Sequence, residues 1–103
     1  MHFTNSKVEA KYEALGFRPE GLGMFLEIGR LRIQAVEHPY KGIALFLNSV
    51  SGRTAGQVET CAPAQASIEQ IACLIYVNVL KCLRAEAEAC RRYFENLDLH
   101  VFQ

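Results

Sequence analysis

Three histidines (His2, His38, His100) and four cysteines (Cys61, Cys73, Cys82, Cys90) are the side chains here best suited to nucleophilic or metal chemistry. Their spacing argues against both uses. No histidine stands at metal-ligand distance in sequence from another, and no C-x-x-C occurs, so zinc-ribbon and thioredoxin-type motifs are absent. A Cys–His nucleophile pair would require His38 or His100 to meet a thiol in space. The segment Gly52-Arg53-Thr54-Ala55-Gly56 faintly resembles a phosphate loop, but it lacks the lysine and the strand–loop–helix setting, so a hairpin turn is expected. Glu86 lies near an apolar helix stripe. It is a candidate for a carboxylate of raised pKa, or simply a residue at the stripe's margin.

Cys73, Cys82 and Cys90 fall on one expected helix. A rise of ~1.5 Å per residue separates neighbours by ~12–13 Å, beyond the ~7 Å that a disulfide spans. Only Cys61 has the freedom to reach one of them. All four thiols are expected reduced and metal-free, with no cofactor, in a cytoplasmic chain. The start, MHFTNSKVEAKYEA, is polar and mixed in charge, unlike a secretory signal. Eleven basic residues balance eleven acidic ones, so no long-range field draws nucleic acid or anionic membrane. Basic residues are scattered without interleaved aromatics, which leaves a nucleic-acid platform unsupported.

The elements that must position any site follow from periodicity. At 103 residues the chain suits one domain, 1–103. Ser6-Lys7-Val8-Glu9 fits a capping box, and Val8, Tyr12 and Leu15 at helical spacing predict a short helix over 7–15, stopped by Gly16. Pro19, Gly21 and Gly23 mark residues 17–23 as a loop. In MFLEIGRLRIQAV the alternation changes phase at Gly29-Arg30, which predicts a type II′ hairpin. Folding there sets Ile28 against Leu31, Leu26 against Ile33 and Met24 against Ala35, with Glu27 facing Arg32 on the other side. A third strand is expected over 43–50. A turn at Ser51-Gly52 leads to a weak edge strand, RTAGQVET, which pairs Leu45 with Val58 and Leu47 with Gly56. One helix is then expected over 67–96, and the tail LDLHVF alternates as a possible fifth strand. The expected fold class is α+β: a short N-terminal helix, a four-stranded (with the tail, five-stranded) antiparallel sheet of two hairpins, and one long C-terminal helix packed on the sheet.

The sharpest feature is IACLIYVNVL, residues 71–80, which is apolar all round but for Asn78. Ile68, Ile71, Ala72, Ile75, Val79, Cys82, Leu83, Cys90, Tyr93 and Leu97 make one stripe for the sheet. Cys73, Leu74, Val77 and Leu80 lie opposite. They are either covered within the monomer or meet another chain. Fully buried across a two-fold axis, six Leu and Val side chains would contribute ~9–18 kcal/mol gross. That compares with an association cost of ~4–15 kcal/mol. Asn78 beside them is suited to fixing helix register, or simply bonds solvent or a backbone carbonyl. A thirty-residue helix spans ~45 Å and four strands only ~15–20 Å, so its end is expected to overhang the sheet. There Arg84–Glu88, Glu88–Arg92 and Arg91–Glu95 form solvated i, i+4 pairs.

The order helix, hairpin, strand, helix over residues 6–80, carried by KVEAKYEALGF, MFLEIGRLRIQAV and GIALFLNSV, resembles the first half of class I type III secretion chaperones, the Tir-chaperone family. That resemblance implies homodimers formed through a helix and capture of an unfolded effector segment. The family is usually longer and more acidic. Small cytosolic inhibitors and immunity proteins of phage or plasmid type share this size and class. The expected function is a non-enzymatic, cytoplasmic protein-binding domain, homodimeric, acting by occupying a partner protein's surface, with Cys73, Leu74, Val77, Asn78 and Leu80 at the interface. The rival is a small enzyme with a Cys–His or Glu–His pair. A cleft holding cysteine, histidine and carboxylate would favour it, whereas an open apolar surface would favour binding.

Overall fold

A computed structural model of the protein describes residues 3–50 and 56–99. Its elements run α1 (Ser6–Ala14), β1 (Arg18–Glu20), β2 (Gly23–Ile28), β3 (Leu31–His38), β4 (Gly42–Ser49), β5 (Gly56–Ala62), α2 (Ile68–Cys82), a 3-10 turn (Arg84–Glu86) and α3 (Ala87–Glu95). The five strands form one antiparallel sheet in the order β1-β2-β3-β4-β5, with the helices on one face. The fold is α+β as expected.

The cap of α1 lies one residue earlier than expected. Asn5 Oδ1 accepts the N–H groups of Lys7 and Val8, and Glu9 reaches back past the cap to accept the N–H of Phe3. Asparagine is as good a cap as serine, and here it captures the first turn. The helix ends where Gly16 adopts φ +101°.

Residues 18–20, expected as loop, are a strand, which corrects the source of the fifth strand. Arg18 lies opposite Phe25 and Glu20 opposite Gly23. Pro19 is tolerated because β1 is an edge. The tail residues 97–98 are a turn rather than a strand, and 100–103 lie outside the described residues. The β2–β3 hairpin has the expected register at every pair, from Ile28↔Leu31 to Met24↔Ala35. Gly29 sits at φ +60°, and Arg30 is not among the positive-φ residues, as a type II′ turn requires. Arg32 lies opposite Glu27 but bonds Glu20 Oε1 at 3.1 Å, with its guanidinium 4.2 Å from the Phe25 ring centre.

β4 and β5 pair two residues away from the expected register: Leu45 meets Thr60, Leu47 meets Val58, and Ser49 meets Gly56. A shift of two preserves which face each side chain occupies, so the pattern alone could not distinguish the registers. The turn at Ser51-Gly52 lies outside the described residues.

The expected single long helix is two. Ser67 caps α2 in a capping box with Gln70, but the helix stops at Leu83, with φ −132° and ψ 48°. Leu83 tucks against Gly56, where a β-carbon would meet its Cδ2. Glu86 turns inward to accept the Ser49 hydroxyl at 2.9 Å, and α3 then packs beside α2. In place of the expected overhang, α3 contacts β2 as well as α2. The redirection buries Phe94 and leaves Leu97 at the surface, while Cys82, expected in the stripe, is exposed. Ile71, Ala72, Ile75 and Val79 do face the core, joined by Tyr76. Arg91 pairs with Glu88 and Glu95, and Arg92 with Glu88 at 3.9 Å; the break at Leu83 takes Arg84 out of the helical spacing expected with Glu88.

Candidate interaction surface

The outward face of α2 carries the expected residues. Cys73 is exposed, Val77 and Leu80 retain 36% and 38% of their surface, and Leu74 is half-buried against the core. Asn78 Nδ2 donates to the Leu74 carbonyl at 2.8 Å, the local bond within one helix turn. With only about a third of Val77 and Leu80 exposed, the full-burial estimate is too high. Six such side chains across a two-fold would contribute roughly 3–6 kcal/mol. That sits at the bottom of the ~4–15 kcal/mol cost of association, so the strip needs further surface to hold a partner.

Further surface lies beside it. α2 runs antiparallel to β5, with Gln70 and Leu74 near Cys61 and Ala62, and Leu83 near Gly56. Val58 and Thr60 point to the helix-covered face yet are only half-buried, so α2 leaves the margin of β5 uncovered. A groove of about 370 Å³ separates strand end and helix, lined by Cys61, Ala62, Ala66, Gln70 and Leu74 among others. The outer edge of β5 has no strand partner among the described residues. Strip, groove and edge are contiguous.

The other candidate is a cleft of about 510 Å³ at one end of the sheet, where Glu37, His38, Lys41 and Cys61 all reach the wall. It contains the cysteine, histidine and carboxylate of the rival reading. Their hydrogen bonds run elsewhere. Glu37 accepts the backbone N–H and the hydroxyl of Thr4, at 3.1 and 2.7 Å. His38 Nδ1 accepts the N–H groups of Tyr40 and Lys41, both at 3.1 Å, which ties the ring to its own turn. No hydrogen bond joins His38 to Cys61 or to Glu37 among the described residues, so no base–nucleophile relay is assembled. Periodicity could not reveal this cleft, because it forms only where the ends of β3, β4 and β5 converge.

Burial pushes the Cys90 thiol up to about 12 and likewise raises the Tyr12 hydroxyl. Both belong to the core. Glu86 is buried and accepts the Ser49 hydroxyl, where one expectation had it simply at the margin of the stripe. His2, His100 and residues 52–55 of the Gly-Arg-Thr-Ala-Gly segment lie outside the described residues. No group of three or more His, Cys, Asp and Glu gathers as a metal site among the described residues. None of the described helices is long and apolar enough to cross a membrane.

Comparison with family models, with curated proteins and with solved structures gives no match. The resemblance to secretion chaperones therefore stays at the order of elements, and the additional β1 departs from it.

Proposed function

We propose that this chain is a non-enzymatic, cytoplasmic protein-binding domain, homodimeric, that acts by occupying the surface of a partner protein. The observation that carries this reading is the continuity of the apolar α2 strip with the uncovered margin of β5. Apolar side chains on a helix that already has a filled core face are retained at a cost in solubility unless something covers them. A balanced charge adds no repulsion to oppose that contact.

The test is Val77→Asp with Leu80→Asp. Leu74 is left intact because it packs on the core. The expected result is a folded protein with a lower mass by light scattering. Unchanged mass and unchanged partner binding would contradict the reading, and outright unfolding would place both residues in the monomer core.

The rival, enzymatic reading would have to use the Cys61 cleft. It requires a Cys61 thiolate activated by His38, and so alkylation of Cys61 well below neutral pH. Alkylation no faster than at exposed Cys73 removes it.

A further inference from the structure

The direction of the backbone groups along β5 follows from one hydrogen bond. Val50 N–H donates to the Arg30 carbonyl at 3.1 Å, so Arg30 and Val50 are a hydrogen-bonded pair. In an antiparallel ladder such pairs recur every second residue. Asn48, Phe46, Ala44 and Gly42 therefore turn their backbone groups to β3, and Ser49, Leu47, Leu45 and Ile43 turn theirs to β5. Their β5 partners, Gly56, Val58, Thr60 and Ala62, use their groups internally. The Ala62 carbonyl agrees, lying where a β-carbon on Gly42 would meet it. Gln57, Glu59 and Cys61 are left with N–H and C=O pointing off the edge.

The two sheet edges differ. β1 has three residues and contains Pro19, a short and blunted edge. β5 has seven residues and no proline. An interface of standard size buries ~800 Å² on each side. Full burial of a Leu or Val corresponds to ~60–120 Å², and three side chains a third exposed offer about the area of one. The strip is thus roughly a tenth of what a stable pair needs, and the adjoining groove and edge must supply the rest. An extended foreign peptide on the edge would satisfy Gln57, Glu59 and Cys61 but leave the strip bare. A partner that covers both needs a helix lying beside its own edge strand, and this chain has one.

Resting on the binding-domain reading above, we propose that a second copy of this chain extends the sheet at β5, antiparallel about a two-fold axis at Val58, with the two α2 helices meeting above the junction through Leu74 and Val77. Charge decides between the two most central axes. Centred on Glu59, the pair opposes two carboxylates, which is destabilising. Centred on Val58, it sets Glu59 opposite Gln57 of the second copy, whose amide donates to it. Val58 then meets its own counterpart in a non-hydrogen-bonded pair, at a Cα separation of ~4.5 Å.

The test is Glu59→Pro, measured by light scattering and circular dichroism. The N–H it removes points off the edge, and an edge strand tolerates proline in that position. The proposal expects a dimeric wild type and a folded, monomeric variant. A monomeric wild type overturns it, as does a folded Glu59→Pro that stays dimeric. In that last case loss of the dimer in Val77→Asp/Leu80→Asp would leave the binding reading standing while the edge pairing fails. If Glu59→Pro does not fold, Val58→Cys decides, in a background of Cys61→Ser, Cys73→Ser and Cys82→Ser. Mild oxidation is expected to link it as a covalent dimer, since ~4.5 Å lies within the disulfide window, whereas Glu59→Cys in the same background is expected to stay unlinked. The reverse pattern, or no link in either, overturns the proposal.

Discussion

The two flanks of the helical layer have opposite characters. Where α1 and α3 meet β2, everything is closed. Tyr12 is 1% exposed and stacks edge-on with Phe3 and Phe17, at centroid distances of 5.5 and 5.2 Å. Tyr93 donates its hydroxyl to the Leu15 carbonyl at 2.6 Å, which ties α3 to the end of α1, and Phe94 is fully buried. Along α2 and β5 the same core thins out. Val58 and Thr60 are half-covered, Val77 and Leu80 face outward, and the strand edge is open. Phe3, Tyr12, Phe17, Tyr93 and Phe94 gather on the first flank. Large rigid side chains fill a corner completely, whereas the valines and leucines of the second flank leave a seam. The first flank holds the fold together, and the second is available to another molecule.

That contrast can be broken by mutation. Phe94→Ala removes a ring with no exposed surface and is expected to cost ~3–5 kcal/mol in denaturant unfolding, against under ~0.5 kcal/mol for Val77→Ala in the monomer. Equal costs would erase the distinction between the flanks. Gly16→Ala combines a φ of +101° with a collision at the Tyr93 hydroxyl, and is expected to cost at least ~2 kcal/mol. Tyr93→Phe alone leaves the Leu15 carbonyl without its donor and is expected to cost ~1–2 kcal/mol. The double variant should cost less than the sum, because the deleted oxygen is the obstacle; strict additivity would mean the two residues do not touch.

Away from both flanks, Gly29→Val is expected to cost ~1 kcal/mol. Nothing crowds a β-carbon there, so only the positive φ resists. A neutral result would indicate a different turn. The thiols sharpen the comparison with the smallest effect. Burial raises the Cys90 thiol to about 12, above its ordinary value, so the folded state holds that proton longer than the unfolded chain. Its contribution to stability is full at neutral pH and declines as pH rises from about 9 to about 12. Thiol labelling of the native protein should modify Cys73 and Cys82 quickly and spare Cys90. Stability that rises across that alkaline range, or rapid labelling of Cys90, would place this thiol outside the sealed core.

Sequence and structure agree where two local signals coincide. At Gly29-Arg30 the turn glycine and the phase change in alternation point to one register, the one that β2 and β3 adopt. They disagree where tertiary contacts decide. Arg18-Pro19-Glu20 reads as loop because proline and nearby glycines dominate it, yet pairing with β2 makes it a strand. Leu83 ends α2 without glycine or proline, through its fit against Gly56 and the Glu86–Ser49 bond made by residues far apart in sequence. The apolar strip was legible as an all-round apolar helix. Its partial cover was not, because Leu74 packs where the margin of β5 meets α2. The edge character of β5 was visible in its weak residues, but the direction of its free N–H groups required the register.

Backbone amide hydrogen exchange at β5 tests the central claim, that the seam along α2 and β5 is where this protein meets its partner. The N–H groups of Gln57, Glu59 and Cys61 point away from the sheet, so a lone monomer leaves them to water. The account predicts slow exchange at Gln57 and Glu59 in the wild type, and fast exchange at Gln57 in monomeric Glu59→Pro, with Val58 and Thr60 protected in both. Fast exchange at Gln57 and Glu59 in the wild type at every concentration would contradict it.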